Sequence, residues 1–150
     1  MMEEILKYEY RDNLYRFLID DFGLKKVEDR YYPEDFGNFH IILAATNFLL
    51  RYFNDRSILS IEIASKYESM DDKWYALSFI EDLIYNPENI NARENESDNA
   101  KRIEKSNNFL RKDFERINEL FSKQNYPNTK KALEEGLRKQ FYLKFPSAKR

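Results

Sequence analysis

Residues 36 to 63 read FGNFHIILAATNFLLRYFNDRSILSIEI, and three runs of alternating apolar side chains separated by two short polar breaks make this stretch an antiparallel β-meander. A one-residue slip would send a strand's whole apolar set to the wrong face, so hydrophobic matching restricts the register. With turns at Ala44–Asn47 and Asn54–Ser57, Leu43 faces Phe48, Ile41 faces Leu50 and Phe39 faces Tyr52. On the next pair Tyr52 faces Leu59, Leu50 faces Ile61 and Phe48 faces Ile63. Both hairpins then share one continuous apolar face. Neither turn carries Asn-Gly or Asp-Gly, so turn geometry is free to shift these pairs.

The opposite face carries His40, Ile42, Leu49, Arg51, Phe53, Ile58, Ser60 and Glu62. This register sets His40 across from Arg51 with Glu62 on the diagonal, Ile42 across from Leu49 and Phe53 across from Ile58. Four large apolar side chains on a nominally solvated face need either a cover from later helices or a binding partner.

Outward from the meander, Ile5, Tyr8, Tyr15, Leu18 and Phe22 recur at helical spacing and predict a helix over 3–22, closed by Gly23. Leu24–Tyr32 reads as a charged edge strand ended by Pro33 and a turn at Phe36-Gly37. Downstream, Asp71-Asp72 opens a predicted helix through Trp74, Leu77, Ile80, Leu83 and Ile84, and Pro87 stops it. Residues 86–98, NPENINARENESD, read as an exposed polar connector. Ser97 or Asp98 then caps a long helix to about Lys123, with a stripe of Ile103, Leu110, Phe114, Ile117 and Phe121; Thr129 caps a last helix through Leu133, Leu137 and Phe141, ended by Pro146. The class expected is α+β: an N-terminal helix, a meander of three to four strands, then three helices.

The 150 residues, 42% hydrophobic and 16% aromatic, suffice for one core, so a single domain is expected: an acidic helix-plus-sheet part at 1–85, the connector at 86–98 and a basic helical part at 99–150. The net charge of -2 hides a polarity: residues 1–98 hold 11 basic against 21 acidic side chains, and residues 99–150 hold 14 against 6. There is no Cys and only one His, which excludes disulfides and thiolate sites and leaves no His-based zinc cluster. The longest apolar run, Ile41–Ala45, is too short to span a bilayer, and MMEEILKYEYRDN lacks the layout of a signal peptide, so the cytoplasm is the expected address.

Three isolated glycines at 23, 37 and 136 make neither a P-loop nor a dinucleotide fingerprint, and no nucleophile elbow accompanies His40. No catalytic residue, metal ligand or cofactor is therefore assigned. Acidic pairs such as Glu3-Glu4, Asp20-Asp21 and Glu81-Asp82 point in different directions on helices and read as solvated. Trp74 reads as core.

The strand pair containing Leu50, Arg51, Tyr52, Phe53, Asp55, Arg56, Ile61, Glu62 and Ile63, followed by the Trp74-bearing DDKWYALSFIEDLI, resembles the small immunity proteins of bacterial polymorphic-toxin systems and related small bacterial proteins, over residues 36–84. That resemblance implies a non-enzymatic inhibitor that binds a cognate toxin domain. The partner it implies is a protein rather than a nucleic acid or a membrane. The partner-binding residues expected are His40, Arg51, Phe53, Asp55, Ile58 and Glu62, and the acidic N-terminal part would steer a basic toxin toward them. The alternative is a nucleic-acid-associated or regulatory binding protein that uses Lys101, Arg102, Lys105, Arg111, Lys112, Lys130 and Lys131. An enzyme would need a pocket that gathers His40 with carboxylates from other elements.

Overall fold

The structure, a computed structural model, describes residues 2–35, 37–68, 74–90 and 98–144. Helix α1 (Met2–Phe22) leads into a five-stranded antiparallel sheet, β1 (Lys25–Tyr32), β2 (Asn38–Ala44), β3 (Phe48–Asp55), β4 (Ile58–Ser65) and β5 (Tyr75–Ala76), in simple sequential order. Three helices follow: α2 (Leu77–Tyr85), α3 (Asn99–Leu120) and α4 (Tyr126–Lys144), with a 3-10 turn at Pro87–Asn89. The α+β layout matches the one expected, with a short fifth strand added.

Helix α1 closes through Gly23, whose φ of 73° lets its N–H reach Ile19 O at 3.2 Å while Leu24 N–H reaches Leu18 O at 3.1 Å. Strand β1 is an edge strand, largely exposed and charged, with a bulge at Val27 between Lys26 and Glu28; both features blunt an edge against further pairing.

The meander keeps the expected faces but shifts its register by two residues at each hairpin. Leu43 faces Leu50, Ile41 faces Tyr52 and Phe39 faces Asn54; on the next pair Tyr52 faces Ile61, Leu50 faces Ile63 and Phe48 faces Ser65. The cause is the turns, which tighten from four residues to two. Ala45 N–H bonds Phe48 O at 2.9 Å around Thr46-Asn47, and Asp55 pairs with Ile58 around Arg56-Ser57. Arg56 (φ 52°) and Ser57 (φ 69°) both adopt the left-handed conformation that a type I′ turn requires. Two asparagines help hold them there: Asn38 Oδ1 accepts from Arg56 N at 2.8 Å, and Asn99 Nδ2 donates to Ser57 O at 2.5 Å. Because the shift is even, every apolar side chain stays on its own face.

Phe39, Ile41, Leu43, Phe48, Leu50, Tyr52, Leu59, Ile61 and Ile63 are all buried on the inner face, in one cluster with residues from all four helices: Leu14 and Leu18, Leu77 and Ile80, Leu110 and Ile117, and Leu133 among them. The acidic and basic stretches therefore share one core. An aromatic chain runs through it, with Phe22 stacked on Phe114 at 4.5 Å, Phe48 between Phe114 and Phe121 at 5.6 and 5.9 Å, and Phe121 against Tyr126 at 5.3 Å.

The region after the meander differs from the sequence expectation. Tyr75 and Ala76 pair with Ile63 and Glu62 as β5, so α2 begins at Leu77; the expected Asp71-Asp72 cap lies outside the described residues, as does Pro146. Trp74 precedes this strand and is half-buried, neither helical nor core. The connector is not wholly exposed either. Ile90 is buried and packs against Gly136 of α4, where an added Cβ would lie 2.9 Å from Ile90 Cδ1. Asp98 caps α3 by accepting from Lys101 N at 3.0 Å. Helix α4 starts three residues before the expected Thr129 cap, because Pro127 is tolerated in a first helical turn; Thr129 Oγ1 instead donates to Leu120 O at 2.7 Å.

Candidate interaction face

The outer face of the sheet collects all six side chains that the sequence marks as partner-binding. Strand alternation places His40 on β2, Arg51, Phe53 and Asp55 on β3, and Ile58 and Glu62 on β4, with His40 opposite Phe53, Asp55 opposite Ile58 and Arg51 opposite Glu62. The expected His40, Arg51 and Glu62 cluster resolves into two pairs. The Arg51 guanidinium forms an ion pair with Glu62 Oε1 directly across the ladder. His40 turns the other way, with Nε2 3.3 Å from Glu28 Oε2 on β1, off-line for a hydrogen bond.

Arg51 is the organising residue of this face. Its guanidinium carbon lies 4.6 Å from the Trp74 ring centroid and 5.1 Å from that of Phe53. Each such contact is worth about 0.5–1 kcal/mol at a partly exposed site. Their combined effect is orientational: two aromatic rings and one carboxylate fix a long side chain that would otherwise cost rotamer entropy to order. On the far side, the Tyr32 ring stands edge-on to His40 at 6.5 Å, and Arg30 pairs with Glu28 at 2.7 Å. The charges on the face thus alternate and largely neutralise one another.

The four apolar residues that raised the question of a cover divide. Ile42, which lies between Glu28 and Arg51 in the register, and Leu49 are buried, whereas Phe53 is half-buried and Ile58 is 56% exposed. The buried residues of the helices cluster with the inner face, and Ile42 and Leu49 stand outside that cluster. The basic helices therefore lie on the inner side of the sheet. The sequence missed Trp74, Tyr32 and Glu28 as members of this face; Tyr32 and Glu28 follow by parity from their partners Asn38 and Ile42, but only the short β5 places Trp74.

The alternative set of cations is mostly engaged within the fold. Arg102 donates to Leu59 O, Lys105 lies 3.7 Å from Glu81, Arg111 stacks on Phe17 at 4.1 Å, Lys112 sits 5.1 Å from the Tyr85 ring centroid, and Lys130 pairs with Glu68. Lys101 and Lys131 are exposed. An open groove of about 400 Å³ between α2 and α3 contains Lys101, Lys105 and Lys112, but Glu81 and Glu104 interleave with them. Among the described residues, no group of three or more His, Asp or Glu side chains is placed to hold a metal ion, and no helix is long and apolar enough to cross a membrane.

Buried hydroxyls tie the layers together. Tyr52 OH donates to Asn107 Oδ1 at 2.7 Å, and Asn107 Nδ2 donates to Leu14 O at 2.9 Å, so one side chain of α3 bridges β3 and α1. Burial pushes the Tyr52 hydroxyl far above its ordinary pKa. Burial, reinforced by its hydrogen bond to Glu68, does the same for Tyr126. Tyr15 is raised by burial and by its bond to Asp12. The nearby Lys26 is raised mainly by its hydrogen bond to Asp29. These groups hold structure and lie apart from the outer face.

Comparison with protein-family models, with curated proteins and with solved structures finds no match to this chain.

Proposed function

We propose that this chain is a non-catalytic protein-binding inhibitor, of the kind its meander resembles: an immunity protein that binds and neutralises a toxin domain through the outer face of its sheet. The observation that supports this reading is the half-buried cluster of Arg51, Phe53 and Trp74 beside exposed Ile58. Aromatic side chains and arginine dominate binding energy at interfaces, above all when they are pre-ordered before the partner arrives. Four strands of about eight residues present roughly 19 by 26 Å, about 500 Å², to which rim loops add toward the ~800 Å² a side of a standard interface. The basic helices are the weaker candidate, since Arg102, Lys105, Arg111, Lys112 and Lys130 already have partners in the fold.

The test is co-expression with the product of the neighbouring gene, scored for growth rescue and co-purification, followed by titration calorimetry. Ile58→Glu and Phe53→Glu should each weaken binding at least tenfold while circular dichroism stays at the wild-type level. Folded variants that still bind and rescue as the wild type does would remove the outer face as the site.

A further inference from the structure

Where the first turns of α2 and α3 meet β4, a half-open cavity of about 170 Å³ gathers Ser60 of the strand, Ala76 and Ser78 at the start of α2, and Arg102 and Ser106 of α3. Its polar side chains are one guanidinium and three hydroxyls, with no carboxylate among its lining residues. The other hollows of the surface differ in this respect. Glu81 and Glu104 interleave with the lysines of the groove between α2 and α3, and Glu88 and Glu135 line the cavity beside Ile90.

Arg102 is half-buried, and it donates to two neutral acceptors, Leu59 O at 2.5 Å and Asn99 Oδ1. Among the described residues no carboxylate pairs with it, and its Nε is buried without a hydrogen-bond partner. A cation drawn partly out of water without a counter-charge costs free energy, which a bound anion offsets. The two existing bonds already order the guanidinium, so little rotamer entropy is left to lose on binding. Helix α2 adds a second positive element. Its N-cap residue is Ala76, which has no side-chain acceptor for the N–H groups of the first turn, and Ala76 and Ser78 both line the cavity. The positive end of the helix dipole therefore borders the same space as Arg102. The three serine hydroxyls rotate freely enough to donate to an anion placed between them. At about 30 Å³ per water the cavity holds roughly five or six waters, which is room for one tetrahedral oxyanion and little more.

We propose that this cavity binds a tetrahedral oxyanion of the phosphate class, with Arg102 supplying the counter-charge and Ser60, Ser78, Ser106 and the first turn of α2 the remaining donors. A bound ion links β4, α2 and α3 and stabilises the fold by mass action. The site uses none of Arg51, Phe53, Ile58 or Glu62, so it stands or falls independently of the inhibitor reading.

The experiment is a titration of the full chain with sodium phosphate, read by amide chemical shifts and by the thermal midpoint, with sodium chloride at matched ionic strength as the control. Saturable shifts centred on Ser78, Arg102 and Ser106 are expected, with a Kd at or below about 1 mM. The midpoint should rise with phosphate and stay level with chloride. Arg102→Met, which keeps the apolar stem, should weaken binding at least tenfold. Ser78→Ala with Ser106→Ala leaves the bonds of Arg102 to Leu59 and Asn99 in place; it should weaken binding severalfold, and it carries the test if the arginine variant does not fold. Phenyl phosphate separates the two sources of this chemistry: affinity equal to that of the free ion assigns a terminal phosphoryl group, and exclusion assigns the inorganic ion. Absence of a saturable shift, an equal response to chloride, or binding that survives these substitutions would overturn the proposal.

Discussion

The bridge from Tyr52 through Asn107 to Leu14 gives the most demanding check of the packing described above. Tyr52 is 1% exposed and Asn107 8%, and their two hydrogen bonds join β3, α3 and α1. Replacing Tyr52 by Phe keeps the ring and its tilted contact with Tyr15 at 6.0 Å, and removes only the hydroxyl. Asn107 Oδ1 is then left buried without a donor, which costs about 1–3 kcal/mol. For a protein of this size each kcal/mol moves the thermal midpoint by about 2–4 °C, so a loss of about 2 kcal/mol lowers it by roughly 4–8 °C. Asn107→Leu removes both of the amide's bonds and strands the Tyr52 hydroxyl, at a similar or larger cost. Combining the two leaves an apolar pair with no orphaned hydroxyl. The double variant should therefore fall short of the summed losses by about 1–2 kcal/mol. Urea denaturation of the four proteins, with slopes held equal, measures this cycle. Single losses below about 0.5 kcal/mol, or strict additivity, would refute the bridge.

Gly136→Ala gains about 1 kcal/mol of helix propensity but sets a Cβ against Cδ1, Cβ and Cγ2 of Ile90 at 2.9, 3.1 and 3.3 Å; net destabilisation of about 1–2 kcal/mol in thermal melts is expected, and in an Ile90→Ala background, which removes the Cδ1 and Cγ2 contacts, the same substitution should cost less. Ser57→Gly should stabilise the protein by a few tenths to about 1 kcal/mol in urea, since φ of 69° costs glycine nothing, and a loss would mean that the turn is not type I′. Tyr15, Tyr52 and Tyr126 all have hydroxyls raised above the ordinary value, so the native state retains protons that the unfolded chain releases above about pH 10. The stability these groups contribute is complete below that pH and is lost as pH rises, at up to about 1.4 kcal/mol per pH unit per tyrosine. Urea midpoints from pH 9 to 11 should fall with this slope, less steeply in Tyr52→Phe, and a flat profile would contradict the burial.

Parity and register were not equally legible in the sequence. The face of each meander residue follows from alternation alone, and an even shift leaves it intact, which is why His40, Arg51, Phe53, Asp55, Ile58 and Glu62 could be assigned to one surface in advance. The pairing partner depends on turn length. Here two-residue turns form at Thr46-Asn47 and Arg56-Ser57 without the glycine that usually announces them, and the second is held by Asn38 and Asn99, 18 and 42 residues away. A local reading has no access to those bonds. The same holds for Trp74, which helical spacing with Leu77 and Ile80 drew into a helix until pairing of Tyr75 with Ile63 overrode it. It holds for Asn107 as well, a polar residue within a charged helix that becomes buried because its neighbour is the Tyr52 hydroxyl.

These non-local features bear directly on where a partner could bind. Asn99 sits at the first turn of α3, yet it fixes the β3–β4 turn through Ser57 and shields the β4 edge at Leu59, while the bulge at Val27 protects the other edge. Among the described residues the four helices fill the inner face, and on the outer face Ile42 and Leu49 are buried while Phe53 is half-buried and Ile58 exposed. There, Arg51 is already ordered between Trp74 and Phe53 and neutralised by Glu62. A partner meeting that surface would find little side-chain entropy left to remove at Arg51 on contact. Variation at Ile58 and Phe53 should accordingly appear in the dissociation rate, with the association rate and its salt dependence nearly unchanged.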